Sequence, residues 1–225
     1  EPEEGSRGRV ASAGRRRVAL GDESKWIARM GRRTGRRLSS CDEGAYRSEE
    51  HETEGFCSAW AASCDEELVD GRGYAMPARC RDAFGRHVTD RTTPVIDLGC
   101  GTGLLGRELA KLGFDIIDGI DYSPEMIKNA RATEIYRNLW SADLNDPLDI
   151  VDGAYGAVAA MGVFSFGHVY ADALDEICRI IMPGGALIIG VNDVFVGENT
   201  LVPKLEGLDA DGIISLDVRE HGAHM

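Results

Sequence analysis

Residues 95–111 read Val-Ile-Asp-Leu-Gly-Cys-Gly-Thr-Gly-Leu-Leu-Gly-Arg-Glu-Leu-Ala-Lys. A short apolar strand delivers Asp97, a loop with Gly99, Gly101 and Gly103 follows, and a helix then begins. Glycines let the backbone turn sharply and let a ligand approach with no Cβ in the way. The helix N-terminus beyond them presents unsatisfied N–H groups and a positive dipole end, suited to an anion or the carboxylate of an amino-acid moiety. Two cofactor classes use such a loop. Gly101, Gly103 and Gly106 fit the dinucleotide pattern G-x-G-x-x-G. The fuller pattern, Asp97-x-Gly99-x-Gly101-x-Gly103, sets an acid on the last turn of the strand. A carboxylate there is unwelcome beside a pyrophosphate and welcome beside an ammonium.

The elements that must position this loop follow in order. Residues 114–121, Phe-Asp-Ile-Ile-Asp-Gly-Ile-Asp, read as a second strand ending in Asp121. Ser123 then serves as N-cap and Pro124 as first residue of a helix. An acid about 20 residues past the glycines is where doubly wound folds hold a ribose diol. A third strand over roughly 135–140 leads to Ser141-Ala142-Asp143-Leu144, where Asp143 is either a ligand to a base or a turn former. Residues 156–162, Gly-Ala-Val-Ala-Ala-Met-Gly, read as a fourth strand. Met182-Pro183-Gly184-Gly185 reads as a helix stop and turn before a fifth strand over 186–191. Helices are expected over 77–90, 103–112, 124–132, 170–182 and 199–208. This alternation implies a doubly wound, mostly parallel α/β sheet.

These motifs together resemble the class I S-adenosylmethionine-dependent methyltransferases, whose motif I the glycine loop matches. The stretch from Gly119 to Met126, with Trp60-Ala61, Asp65, Gly73-Tyr74 and Gly162-Val163-Phe164-Ser165, is similar to the Williams–Beuren-region methyltransferase-like subgroup. The resemblance covers roughly residues 56–220 and implies a Rossmann-like methyltransferase fold. It implies S-adenosylmethionine as cofactor, held by Asp97, Gly99, Cys100, Gly101, Thr102 and Gly103 from the loop. Asp121, Tyr122 and Met126 would add the second strand and its helix, with Asp121 on the ribose hydroxyls. Asp143 and Leu144 would meet the adenine, and Met161 would close the fourth strand. Residues before the core would form a helical lid over 56–90, although Cys64 stands where similar proteins carry Tyr. A sixth strand is expected near 213–219. The antiparallel seventh is not visible, which reads as a truncated chain or an edge completed by a partner.

The chain has 225 residues, room for one good-sized core plus appendages. Residues 1–55 are Arg-, Gly- and Glu-rich with few large apolar side chains, and read as a disordered segment ahead of a methyltransferase domain over 56–225. The formal net charge is −13 although this first segment is locally basic. An acidic body argues against nucleic acid as acceptor, because phosphate binding needs a basic surface. The six cysteines form no metal-type pairs and read as reduced thiols, from which a cytoplasmic location is expected. No apolar run approaches a membrane span.

Methyl transfer from a sulfonium is an in-line displacement with an activated leaving group, so alignment and exclusion of water dominate. A base is needed only if the acceptor must lose a proton. His168, just after the fourth strand, is the candidate, and Tyr74 with His168 is expected to line the acceptor side. The acceptor is expected to be a small molecule. The residues also leave open a non-catalytic S-adenosylmethionine-binding partner subunit and an NAD(P)-binding oxidoreductase. They do not determine the oligomeric state.

Overall fold

A computed structural model of the chain describes residues 14–22, 75–164, 169–191 and 200–221. The elements are β1 (Arg16–Asp22), α1 (Met76–His87), β2 (Val95–Leu98), α2 (Leu104–Lys111), β3 (Ile117–Asp121) and α3 (Pro124–Arg131). They continue with β4 (Asn138–Ser141), β5 (Tyr155–Met161), α4 (Ala173–Ile180), β6 (Ile181–Gly190), α5 (Leu201–Ala210) and β7 (Ile214–His221). The strands form one sheet in the order β4-β3-β2-β5-β6-β1-β7, with parallel pairing throughout.

The central strands are apolar on both faces, which is why they read as continuous runs rather than alternating ones. On one face Ile96, Leu98, Ile120, Val158, Leu187 and Ile189 pack with Leu174 and Ile177 of α4 and Leu201 and Leu205 of α5. On the other, Val95, Ile117, Ala157, Ala159 and Ile188 pack with Met76, Cys80 and Phe84 of α1 and Leu105 and Leu109 of α2. Phe84 meets Phe114 edge-on at 5.9 Å between ring centroids, and the Arg91 guanidinium lies 4.7 Å from the Phe114 centroid. From β2 the chain winds outward through β3 to β4, then returns to the other side of β2 for β5 and β6. The direction reverses between β2 and β5, and a ligand crevice belongs at the carboxyl ends of strands beside such a switch point.

Three expectations are corrected. Residues 1–55 are not a disordered segment throughout, because 16–22 form β1, inserted between β6 and β7. Val18 and Ala19 are buried, Arg16 Nε donates to the Ile181 carbonyl at 2.9 Å, and Arg17 donates to the His87 carbonyl at 2.9 Å. The sheet of the described residues has no antiparallel strand, and β1 adds a parallel one between β6 and β7. Second, α1 is not part of a lid: it is a core helix whose Met76, Cys80 and Phe84 are buried against the sheet. The rest of the expected lid, with Trp60, Ala61, Cys64, Asp65 and Gly73, lies outside the described residues. Third, Met182–Gly185 do not separate α4 from a strand but bulge within β6. Tyr155 pairs with Ile181 and Ala157 with Ala186, so the extra residues loop out. Gly184 takes a left-handed φ of 80° there, which suits glycine. Among the described residues no helix is long and apolar enough to cross a membrane.

Candidate functional site

The loop after β2 has the geometry its glycines foretell. Gly99, Gly101 and Gly103 have φ of 65°, 53° and 91°, all in the left-handed region that other residues rarely adopt. A Cβ on Gly99 would press into Val163, whereas nothing lies within 4 Å of the place a Gly101 Cβ would take. The backbone at Gly101 is thus open to close approach. Gly103 is the N-cap of α2, with no side chain to cover the helix end. Cys100 and Thr102 are buried between the glycines. The Cys100 N–H donates to the Ile120 carbonyl at 2.9 Å, tying the loop to β3. Burial and the neighbouring Asp97 and Asp121 push the Cys100 thiol well above its usual range, so it is a filler and not a nucleophile.

Asp121, at the carboxyl end of β3, is held from two sides. Its Oδ2 accepts from Gly101 N–H and its Oδ1 from Ser123 N–H, both at 2.9 Å. A carboxylate has about four acceptor sites, so two remain for a diol while the rotamer is already fixed. Burial raises its pKa, and the two backbone donors oppose that rise. Ser123 in turn caps α3, its Oγ accepting from Met126 N–H at 3.3 Å. Met126 is buried under this cap, and Tyr122 beside Asp121 is exposed.

Asp97 lies directly beneath the loop and is 1% exposed. Burial, with Asp121 nearby, lifts its pKa to about 7. Its Oδ2 accepts from the Tyr136 hydroxyl at 2.8 Å. Tyr136 was not legible as a site residue, since it sits in the connection between α3 and β4 with no motif around it. Its trace in the sequence is indirect: Gly103, Gly106 and Gly119 each lack the Cβ that would meet the Tyr136 ring or hydroxyl. Gly106, the third glycine of the apparent dinucleotide pattern, makes room for this tyrosine.

At the end of β4, Asp143 Oδ1 accepts from Asn145 N–H at 2.8 Å and from Asn145 Nδ2 at 2.9 Å, so the acid does form a turn. Leu144 is built into the core, and Met161 ends β5 partly buried. Tyr74 and His168 lie outside the described residues.

A second buried acid, Asp118, was also not singled out. It accepts from Tyr155 Oη at 2.8 Å, Arg137 Nε at 3.0 Å and Asn138 N–H at 3.1 Å, with a further contact to the Arg137 NH2. Burial pushes its pKa up, but Arg137, Tyr155 and Asn138 outweigh it and hold the carboxyl below its usual range. It ties β3 to β4 and β5 and lies three residues before Asp121. Among the described residues no cluster of His, Cys, Asp and Glu is placed to hold a metal ion.

Comparison with known proteins agrees with this geometry. A family described as a methyltransferase domain matches residues 96–189. The chain is 35% identical over 137 residues to methyltransferase-like protein 27 of Homo sapiens, covering 60% of this chain and 55% of that one. It is 34% identical over 126 residues to the ribosomal protein L11 methyltransferase of Dechloromonas aromatica, covering 56% and 41%. Among solved structures it is 31% identical, with a TM-score of 0.50, to one from the complex between the Haloferax volcanii Trm112 methyltransferase activator and its methyltransferase. That match covers 58% of this chain and 57% of the other. The chain spans about half the length of the curated relatives it matches.

Proposed function

Because residues 96–189 carry a methyltransferase domain and the chain belongs to the class I S-adenosylmethionine-dependent methyltransferases, we propose that it transfers a methyl group from that cofactor to a small-molecule acceptor. The observation that carries the reading is the run of three left-handed glycines after a buried acid, braced by Asp121 through Gly101 N–H. The residues present fit the cofactor. The loop leaves open backbone at Gly101, Asp121 keeps two acceptor sites, and Asp97 is an acid whose charge a buried ammonium would stabilise.

When bound, S-adenosylmethionine supplies a methyl group on a sulfonium, ready for in-line displacement. The chain's own residues hold and align. Asp97 would hold the ammonium, the glycine loop and the start of α2 would lie against the amino-acid end, and Asp121 would take the ribose hydroxyls. Asp143 and Leu144 are assigned to the adenine, with Tyr122, Met126 and Met161 around the crevice. Orientation of this kind is worth roughly 7–11 kcal/mol of barrier, so no side chain has to act as a strong catalyst. Tyr74 and His168 are assigned to the acceptor side, with His168 as base where the acceptor gives up a proton.

The net charge of −13 supports a small acceptor over a nucleic acid. A protein acceptor is the second reading, favoured by the likeness to the ribosomal protein L11 methyltransferase. The likeness to a structure solved with the Trm112 activator favours a partner subunit in either case. Incubation with methyl-labelled S-adenosylmethionine and either a metabolite library or basic ribosomal proteins separates the two acceptors. Label in the small-molecule fraction is expected, and label in protein alone would replace the reading. Asp121→Ala is expected to weaken S-adenosylhomocysteine binding by about 1.5–3 kcal/mol, the range for hydrogen bonds to a charged group. An unchanged affinity in calorimetry would show that the ribose is held elsewhere.

A further inference from the structure

Tyr136 joins three parts of the site that are separate in sequence. Its ring occupies the space left by the missing Cβ atoms of Gly103 in the loop, Gly106 in α2 and Gly119 in β3. Its hydroxyl donates to Asp97 Oδ2 at 2.8 Å. The same hydroxyl lies against Gly106 in the first turn of α2, where a Cβ would collide with it. The Tyr136 hydroxyl therefore sits between the first turn of α2 and the buried carboxylate, and donates to the latter.

We propose that Tyr136 is a positioning residue for the amino-acid end of the cofactor, holding the Asp97 carboxyl group aimed toward the ammonium. The proposal rests on the cofactor reading given above. Among the described residues, the other titratable groups facing Asp97 are Asp121 at the end of β3 and Cys100 in the loop. Asp121 repels the Asp97 charge, and the Cys100 thiol stays neutral. Burial already favours the protonated acid, so the Tyr136 hydroxyl, which favours the charged one, is the counterweight.

Tyr136→Phe tests this, because it keeps the ring that fills the glycine gaps and removes only the hydroxyl. Asp97 then titrates at higher pH. The readout is the ratio of S-adenosylhomocysteine Kd values, variant over wild type, measured by calorimetry from pH 6 to pH 9. Titration of the ligand's own amine is common to both proteins and cancels. For a one-unit rise the ratio is expected to be about five at pH 7 and roughly one at pH 9. A purely structural role would give a ratio that does not change with pH, and that result would overturn the proposal while leaving the cofactor reading intact. Failure of the wild type to bind at any pH would overturn both. A second measurement needs no ligand: the midpoint in the pH dependence of Tm should move up in Tyr136→Phe in the wild-type background. No such shift should occur in the Asp97→Asn background. A Tyr136→Phe shift of equal size in both backgrounds would show that the hydroxyl does not act through Asp97.

Discussion

Asp97 carries the sharpest consequence at the scale of single residues. Its carboxyl is raised from 3.8 to about 7, by burial first and by Asp121 second. The fold therefore prefers the protonated form. The stability that goes with this preference is fully present below pH 3.8 and is lost as pH rises through about 7. Asn cannot ionise and still accepts from the Tyr136 hydroxyl. Asp97→Asn is therefore expected to gain stability over wild type between pH 5 and pH 8, by up to ~3 kcal/mol. Thermal melts of the two proteins across that range check it, and a difference in Tm that stays flat would contradict the buried setting. The same variant should bind cofactor more weakly at pH 8, so stability and function oppose each other at this position. Asp118 behaves in the opposite sense. Its lowered pKa makes its contribution present above the ordinary carboxylate range and lost as pH falls through the folded value.

Among the elements, β1 has the least obvious role. It pairs from Arg17 to Gly21 with Ala186 to Gly190 of β6, and on its other side with β7. Without it, β6 would expose an unpaired ladder and β7 would lose its place in the sheet, and such edges invite aggregation. Deleting residues 1–24 is expected to lower Tm by roughly 6–12 °C, the shift for a loss of about 3 kcal/mol in a chain of this size. Thermal unfolding with light scattering checks this. An unchanged melt would mean that β1 adds little to the sheet. By contrast α2 and α3 are set by local rules. Gly103 and Ser123 begin them, Pro124 takes the first helical position of α3, and Lys111 and Arg131 sit in their last turns.

For the whole molecule, the proposed cofactor site at the switch point between β2 and β5 would couple the ligand to the fold. β2, β3 and β5 all end there, so a ligand at their carboxyl ends braces both halves of the sheet. S-adenosylhomocysteine at a hundredfold over its Kd is expected to stabilise the protein by about 2.7 kcal/mol, raising Tm by roughly 5–10 °C. NADH at the same concentration is expected to leave Tm unchanged. The reverse pattern in a thermal-shift assay would move the chain to the dinucleotide-binding proteins.

Much of the strand–loop–helix unit around the glycines was legible in the chain itself. Strand, glycine loop and helix follow one another over residues 95–111, and short-range rules suffice: glycine for positive φ, Ser-Pro for a helix start, apolar runs for buried strands. Asp97 stands in the first such run and Asp121 at the end of the second, so their places on neighbouring strands followed from sequence order alone. What was not legible depends on contacts between distant segments. Val18 and Ala19 follow three arginines in a segment of low apolar content, and their run is too short to signal a strand. Only the open side of β6 makes β1 worth ordering. Likewise Tyr136 has no motif. Its hydroxyl reaches Asp97 across 39 positions because three glycines on separate elements leave it a slot, and a slot exists only once those elements are packed. Local sequence determines where the backbone turns. The tertiary structure determines which buried acid is paired, and with what, because desolvation and hydrogen bonding are properties of the assembled core.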